Sequence, residues 1–302
     1  MTEPTLRALS AAGLDPAVVE RIVRTALVED LGPDGLDVTS AATIPADLVG
    51  TAEVVARAAG VVAGLPVAAA VFDLAAPADR PVELRPRVAE GDRVARGDVL
   101  ASVTGPVRSL LTAERTALNL LCRMSGVATH TRAWADELAG SDATVLDTRK
   151  TTPGLRMLEK YAVRVGGGTN KRMGLYDVAM IKDNHKLAAG GVAAAYRRVR
   201  AAFPAVPVQV EVTTTAEAVE AVEAGADFLL CDNMTPEELS EVVLAVGGRA
   251  ELEATGGLTL EVAAKYAATG VDYLSVGALT HSSPILDIAL DLRVPAEPAV
   301  RS

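Results

Sequence analysis

The sequence predicts an α/β chain in two parts: an N-terminal α+β open sandwich and a C-terminal, incomplete β/α barrel of the TIM type. Three observations predict it. In the second half, valine-rich apolar runs recur at a βα spacing: Glu211 to Asp232 is 21 residues, Asp232 to Thr255 is 23, and Thr255 to Gly277 is 22. Residues 1 to 112 lack that period and mix short strands with helices. A chain of 302 residues that is 50% hydrophobic is long enough for about two cores. The expected boundaries are 1–112 for the sandwich, with a return of the chain near 285–302, and 113–284 for the barrel. A doubly wound open sheet is the structural alternative.

The elements follow in order. Asp15-Pro16 before a helical pattern over 18–28 predicts a capped first helix with Pro at its first position. Residues 51–57 and 82–88 are β-branched and apolar, and predict strands; 66–75 between them is helical in pattern. Glu90 to Leu100 places turn glycines between short valine-rich strands. Thr112 to Leu138 predicts a long helix with a break at Gly126. Val145–Asp147, Val178–Lys182, Val208–Val212, Phe228–Cys231, Ala250–Glu253 and Tyr273–Val276 predict buried parallel strands. Helices are expected over 217–223, 236–246 and 260–268, and a final turn leads into Ile285 to Leu292. Polar or glycine residues stand just past the strands' C-terminal ends, which is the active face of a β/α barrel.

Charge and composition exclude several functions. The net charge is −10, and aromatics are 3% of the chain. Neither a phosphate-backbone binder nor a base-stacking platform has that composition, so no nucleic-acid partner is expected. The N-terminus has no basic region followed by an apolar run, and no apolar stretch reaches a membrane span. Cys122 and Cys231 have no disulfide-framework or zinc spacing and are expected to be small buried thiols. The expectation is a cytoplasmic protein with no membrane partner.

One segment runs against the global charge. From Arg149 to Lys186 there are nine basic residues and three acids, a net of +6, and five of the six lysines lie there. A charge run is commonly a solvated face. Three features point instead to an anion pocket: Gly166-Gly-Gly168 permits close backbone approach, Lys182 ends an apolar strand, and Arg149 and Lys150 follow another. Arg156 and Lys160, four apart on a helix, are expected at the surface. Glu211 and Asp232 end successive strands. Paired carboxylates there suit Mg²⁺ held through water or a substrate phosphate, or a ribose; the alternative is ion pairing with the lysines. Thr255-Gly256-Gly257 and Val276-Gly277-Ala278 are candidate phosphate loops. His281 follows the second of them. His130 is expected to be structural, and the three histidines are too scattered for a metal triad.

These residues resemble a known family. Leu111-Thr-Ala-Glu-Arg-Thr-Ala-Leu-Asn-Leu120, Asp147-Thr-Arg-Lys-Thr-Thr-Pro-Gly154, Lys160-Tyr-Ala-Val-Arg-Val-Gly-Gly-Gly168, Ile181-Lys-Asp-Asn-His185, Leu230-Cys-Asp-Asn233 and Val276-Gly-Ala-Leu-Thr-His281 closely resemble quinolinate phosphoribosyltransferases. The resemblance runs from the first helix to Leu292. It implies a decarboxylating pentosyltransferase in de novo NAD biosynthesis that uses quinolinate, phosphoribosyl pyrophosphate and Mg²⁺. It also implies a homo-oligomer, at least a dimer, in which Arg115 reaches the neighbouring subunit's site. By motif, Arg149, Arg172 and Lys182 would grip the quinolinate carboxylates, and Lys150 would contact phosphoribosyl pyrophosphate. Glu211 and Asp232 would face the ribose and Mg²⁺. Thr255 to Gly257 and Val276 to Ala278 would cradle the 5′-phosphate, and Thr148, Lys171 and His281 complete the substrate-contacting set. Lys150, Glu211 and Asp232 are the expected catalytic residues.

The chain departs from the family pattern on the aromatic-acid side. Lys171 stands where the family has a His, Leu146 where an Arg often precedes the aspartate, Thr213 where an acid is usual, and Thr255 where Ser is usual. Lys171 therefore raises an alternative: a paralogous phosphoribosyltransferase for a different aromatic or heterocyclic acid. A non-catalytic descendant that binds phosphoribosyl pyrophosphate is a second alternative. Glu90 to Leu100 also resembles a biotinyl or lipoyl carrier, but such a carrier needs a hairpin lysine and none precedes Lys150.

Overall fold

In the computed structural model, which describes residues 1–293, contacts divide the chain into two units. The first holds Met1–His130, Pro153–Gly166 and the described residues from Ser283; the second holds Thr131–Thr152 and Gly167–Ser282. The boundary expected at 112/113 falls inside one continuous helix, and 153–166 groups with the first unit instead of the barrel.

The first unit begins with α1 (Glu3–Ala11), a helix that the sequence pattern does not predict, carrying Pro at its first turn. α2 (Pro16–Leu31) follows, and the Asp15 side chain accepts from Ala17 N at 2.9 Å as its cap. α3 (Val38–Thr43) is also unpredicted. Its β-branched residues favour a helix little, and it starts where Asp37 accepts from Ser40 N at 3.0 Å. Then come β1 (Val49–Ala56), β2 (Gly60–Val61), α4 (Leu65–Ala75), β3 (Glu83–Pro86), β4 (Arg93–Val94), β5 (Val99–Pro106), α5 (Val107–Glu137) and, after the second unit begins, α6 (Arg156–Val165). The run into Ile285–Leu292 ends as a strand, β12 (Ile288–Arg293), antiparallel to β1, so the sheet order is β12-β1-β5-β3. Residues 294–302 of the expected return lie outside the described residues. The carrier-like segment serves its own unit. The Glu90 carboxylate accepts from Gly64 N at 2.7 Å and Leu65 N at 2.8 Å, at the N-terminus of α4, and from Tyr161 Oη at 2.6 Å.

α5 runs through Gly126 without the predicted break. A Cβ at this position would lie 2.0 Å from the Pro284 carbonyl oxygen, so glycine marks a close approach and not a helix end. Lys160 is likewise not on the surface: it is 1% exposed, and its neighbour Glu159 pairs with Arg123 at 2.8 Å.

The second unit is a six-stranded parallel sheet. Its strands are β6 (Thr144–Leu146), β7 (Ala179–Ile181), β8 (Val208–Val212), β9 (Phe228–Asp232), β10 (Glu251–Thr255) and β11 (Tyr273–Ser275), in the order β6-β11-β10-β9-β8-β7. The helices are α7 (Asp183–Ala189), α8 (Val192–Ala202), α9 (Thr215–Glu223), α10 (Pro236–Val246), α11 (Ala263–Ala267) and α12 (Ala278–His281); a 3₁₀ turn over Leu260–Val262 opens the segment expected as one helix. Val208, Val210 and Val212 of β8, and Leu229, Leu230 and Cys231 of β9, are buried, as strands covered on both faces require. β6 and β7 end the sheet, so hydrogen bonds do not close the ring of strands among the described residues. All six strands run the same way and share one C-terminal rim. Both cysteines are free and buried; burial raises both thiols, Cys231 to about 12, which keeps it protonated and unreactive. No helix among the described residues is long and apolar enough to cross a membrane.

Candidate active site

A cavity of about 730 Å³ opens at that rim, entirely within the second unit. The ends of the second unit's strands and the loops after them supply its residues, and none of the long helices does. Thr148, Arg149 and Lys150 follow β6; Lys182 follows β7; Glu211 and Asp232 come from the ends of β8 and β9; Thr255, Gly256 and Gly257 close β10; Val276, Gly277 and Ala278 close β11, with His281 one turn on. Lys171 and Arg172 enter from the 167–178 loop. Arg115 is the exception. It is exposed, lies on α5 in the first unit and does not line the cavity.

The basic run resolves into two groups. Arg149, Lys150, Lys171, Arg172 and Lys182 line the cavity. Arg156, Lys160 and Arg164 sit on α6 in the first unit, and Lys186 pairs with Asp183 at 2.7 Å and Glu217 at 3.0 Å. Burial works against the Lys186 ammonium, but these two carboxylates hold it above its ordinary value. The glycine triplet does not line the cavity. Gly166 ends α6, and Gly167 lies against the Arg132 guanidinium.

Two buried carboxylates that are not among the expected site residues hold the 170–171 segment and the Lys171 ammonium. Asp147, fully buried at the end of β6, accepts from Asn170 Nδ2 at 2.6 Å and Lys171 N at 2.8 Å. Glu253, fully buried on β10, accepts from Lys171 Nζ at 2.5 Å. Burial pushes the Lys171 ammonium down and the Glu253 carboxyl up, and each partner opposes the other's shift. Arg172 donates to Val178 O at 3.0 Å; burial and then the Arg149 guanidinium bring it below its ordinary value. Asp177 closes the same loop through Met173 N at 2.6 Å and Gly174 N at 3.0 Å.

The acids face these cations. Lys182 Nζ is 3.1 Å from Glu211 Oε2, so the ion pairing expected as an alternative is present at Glu211. Asp232 accepts from Asn233 Nδ2 at 2.8 Å. Among the described residues, no three His, Cys, Asp or Glu side chains gather as a metal cage. Two carboxylates beside a cluster of cations fit a hard cation such as Mg²⁺ that keeps water or substrate oxygens as its other ligands.

Asn233, which ends the Leu230-Cys-Asp-Asn233 motif but is not among the expected site residues, also lines the cavity. Its φ is 53°, its N donates to Thr255 O at 2.8 Å, and a Cβ on Gly256 would come within 2.2 Å of its Oδ1. Only glycine at 256, with φ 97°, lets the β10 loop pack there. Across the sheet, Thr280 Oγ1 donates to Lys150 O at 2.8 Å and ties α12 to the loop after β6.

Two family models match the chain: the N-terminal domain of quinolinate phosphoribosyl transferase over residues 37–125 and its C-terminal domain over 127–291. The nicotinate-nucleotide pyrophosphorylase (carboxylating) of Mycobacterium leprae is 50% identical over 273 residues, covering 89% of this chain and 95% of that protein. The probable nicotinate-nucleotide pyrophosphorylase of Bacillus subtilis is 41% identical over 280 residues, covering 92% and 95%. The crystal structure of NadC from Streptococcus pyogenes matches with a TM-score of 0.89 at 38% identity, covering 94% of this chain and 99% of that one.

Proposed function

The chain belongs to the quinolinate phosphoribosyltransferase family, and from that membership we propose that it converts quinolinate and phosphoribosyl pyrophosphate to nicotinate mononucleotide, pyrophosphate and CO₂, in de novo NAD biosynthesis. One observation carries the reading. Five cations and two carboxylates meet in a single cavity with two phosphate-type loops, matching a dicarboxylate, a ribose and phosphates together.

In this reading Arg149, Arg172 and Lys182 hold the quinolinate carboxylates, and the planar arginine forks fix the ring's orientation. Lys150 holds the phosphoribosyl pyrophosphate. Thr255 to Gly257 and Val276 to Ala278 offer the 5′-phosphate backbone N–H donors, with His281 beside them. Thr148 turns the β6 loop by accepting from Lys150 N at 3.0 Å. The pyridine nitrogen bonds to C1′ as the C1′–oxygen bond breaks, its electron pair leaving with pyrophosphate. Glu211 and Asp232 stabilise the positive charge that develops on the ribose. The ring nitrogen is then cationic, so the C2–carboxylate bond breaks, its electrons stay on C2, and C2 takes a proton. Glu211 and Asp232 are also the residues that would hold Mg²⁺, which supplies charge neutralisation of the pyrophosphate. The protein's own contribution is positioning and electrostatics.

Glu253 bears on the alternative substrate. It pairs with Lys171, the residue that departs from the family pattern, and so partly offsets the charge that Lys171 adds to the acid side. The proposed compartment is the cytoplasm, in keeping with two free cysteines. The proposed assembly is a homo-oligomer, at least a dimer, with the exposed Arg115 serving the neighbouring site. Steady-state assays with quinolinate, phosphoribosyl pyrophosphate and Mg²⁺ test the function: nicotinate mononucleotide and CO₂ are expected in equal amounts. Binding of phosphoribosyl pyrophosphate without nicotinate mononucleotide would overturn it.

A further inference from the structure

Lys171 is held at both ends by carboxylates that water does not reach. Asp147 fixes its backbone N and the preceding Asn170 side chain, and Glu253 takes its ammonium. The Lys171 side chain is 7% exposed and that of Glu253 is 0% exposed, yet Lys171 is part of the cavity wall. The second Glu253 oxygen, Oε2, is buried and makes no hydrogen bond.

Stability does not account for such a pair. A buried ion pair is commonly no better than apolar side chains of the same volume, whereas either charge left alone is costly. The surroundings make this pair harder to hold, because Arg172 and Lys182 both repel the Lys171 ammonium. Glu253 is what lets a cation stand at this place. The ammonium thus stands between a buried carboxylate behind it and the cavity that Lys171 lines, where a carboxylate of a bound acid can meet it.

We propose that Glu253 is a positioning residue of the aromatic-acid subsite: it holds the Lys171 ammonium in the orientation in which that ammonium pairs with a carboxylate of the bound acid. This rests on the functional reading above. On it, the substitution at 171 is not an isolated change of a pocket residue. It is half of a two-residue device whose other half lies inside β10, two residues before the phosphate loop.

A double-mutant cycle tests it, with kcat and both KM values measured for wild type, Lys171→Met, Glu253→Gln and the double variant. Each single variant should raise KM for quinolinate about tenfold or more while KM for phosphoribosyl pyrophosphate stays within about twofold. The double variant should be no worse than Lys171→Met alone, because Glu253 acts only through Lys171. Unchanged quinolinate KM in Glu253→Gln, multiplying effects in the double variant, or equal rises in both KM values would each overturn the proposal. If Glu253→Gln does not fold, Lys171→Met against the double variant, which strands no charge, decides the matter: equal quinolinate KM values support the proposal, and a further rise overturns it. Absence of quinolinate turnover in wild type is a separate result, and overturns the functional reading first.

Discussion

Lys182 Nζ stands 3.1 Å from Glu211 Oε2, with the lysine side chain 51% exposed and the glutamate 11% exposed. The two partners therefore stand in unequal environments. Lys182 faces the solvent side, where an arriving carboxylate can compete for it, and Glu211 sits deeper. Lys182→Met should raise KM for quinolinate about 10- to 100-fold through loss of a charged hydrogen bond. Glu211→Gln should leave that KM within about threefold and lower kcat about 100-fold. Steady-state kinetics on both variants check this, and equal KM effects would refute the division of roles.

Thr280 is fully buried and donates to the Lys150 carbonyl at 2.8 Å. Thr280→Val keeps the shape and removes the donor. It should cost about 1–3 kcal/mol of stability, seen as a lower urea midpoint. It should also raise KM for phosphoribosyl pyrophosphate more than KM for quinolinate, because the Lys150 loop loses its tie.

Arg115 is exposed and does not line the cavity of its own chain. If it serves a neighbouring site, Arg115→Ala and Lys182→Met chains, assayed at quinolinate well below the raised KM, should each show little activity and regain it when mixed and allowed to exchange subunits. A mixture no more active than its parents speaks against the shared site.

His130 Nδ1 is 2.8 Å from Ser283 Oγ, and burial holds the imidazole below its ordinary value. As pH falls, the unfolded chain takes up this proton first. The contribution of His130 is thus present above about pH 6.5 and is lost as pH falls through that value toward the folded pKa. The urea midpoint of wild type should fall between pH 7.5 and 5 more steeply than that of His130→Gln. Parallel curves would show that this imidazole does not couple folding to pH.

The barrel is legible in the sequence because its strands repeat. Val208, Val210 and Val212 are buried on a strand whose successor begins one βα unit later, and the polar residues past each end fall on one rim. The helices α1 and α3 are not legible in this way. α3 is short, rich in β-branched residues and held by a single Asp37 cap, so its sequence carries almost no helical period. A local rule makes Gly126 a break, although the reason for this glycine is the Pro284 carbonyl far along the chain. Lys160 sits beside two surface-type charges in sequence and inside the unit in space. Glu253 ends the strand expected over 250–253 but stands two residues before the true end of β10, so its side chain lies inside the sheet and not among the rim residues. A charge inside a buried strand declares its partner only once Lys171 is placed beside it.

From β7 to β11 the sheet order is the chain order, and β6 joins beyond β11. The residues met along the chain at the rim are therefore met in the same succession in space: Lys182, Glu211, Asp232, the Thr255 loop, the Gly277 loop. Under the proposed roles that succession is acid, sugar, phosphate, which is the succession of groups in the product itself. From β7 to β11 the ligand is thus met in reading order, although Arg149 after β6 also serves the acid, so a change in the acid bound can arise at the β7 end without rewriting the strand ends that follow.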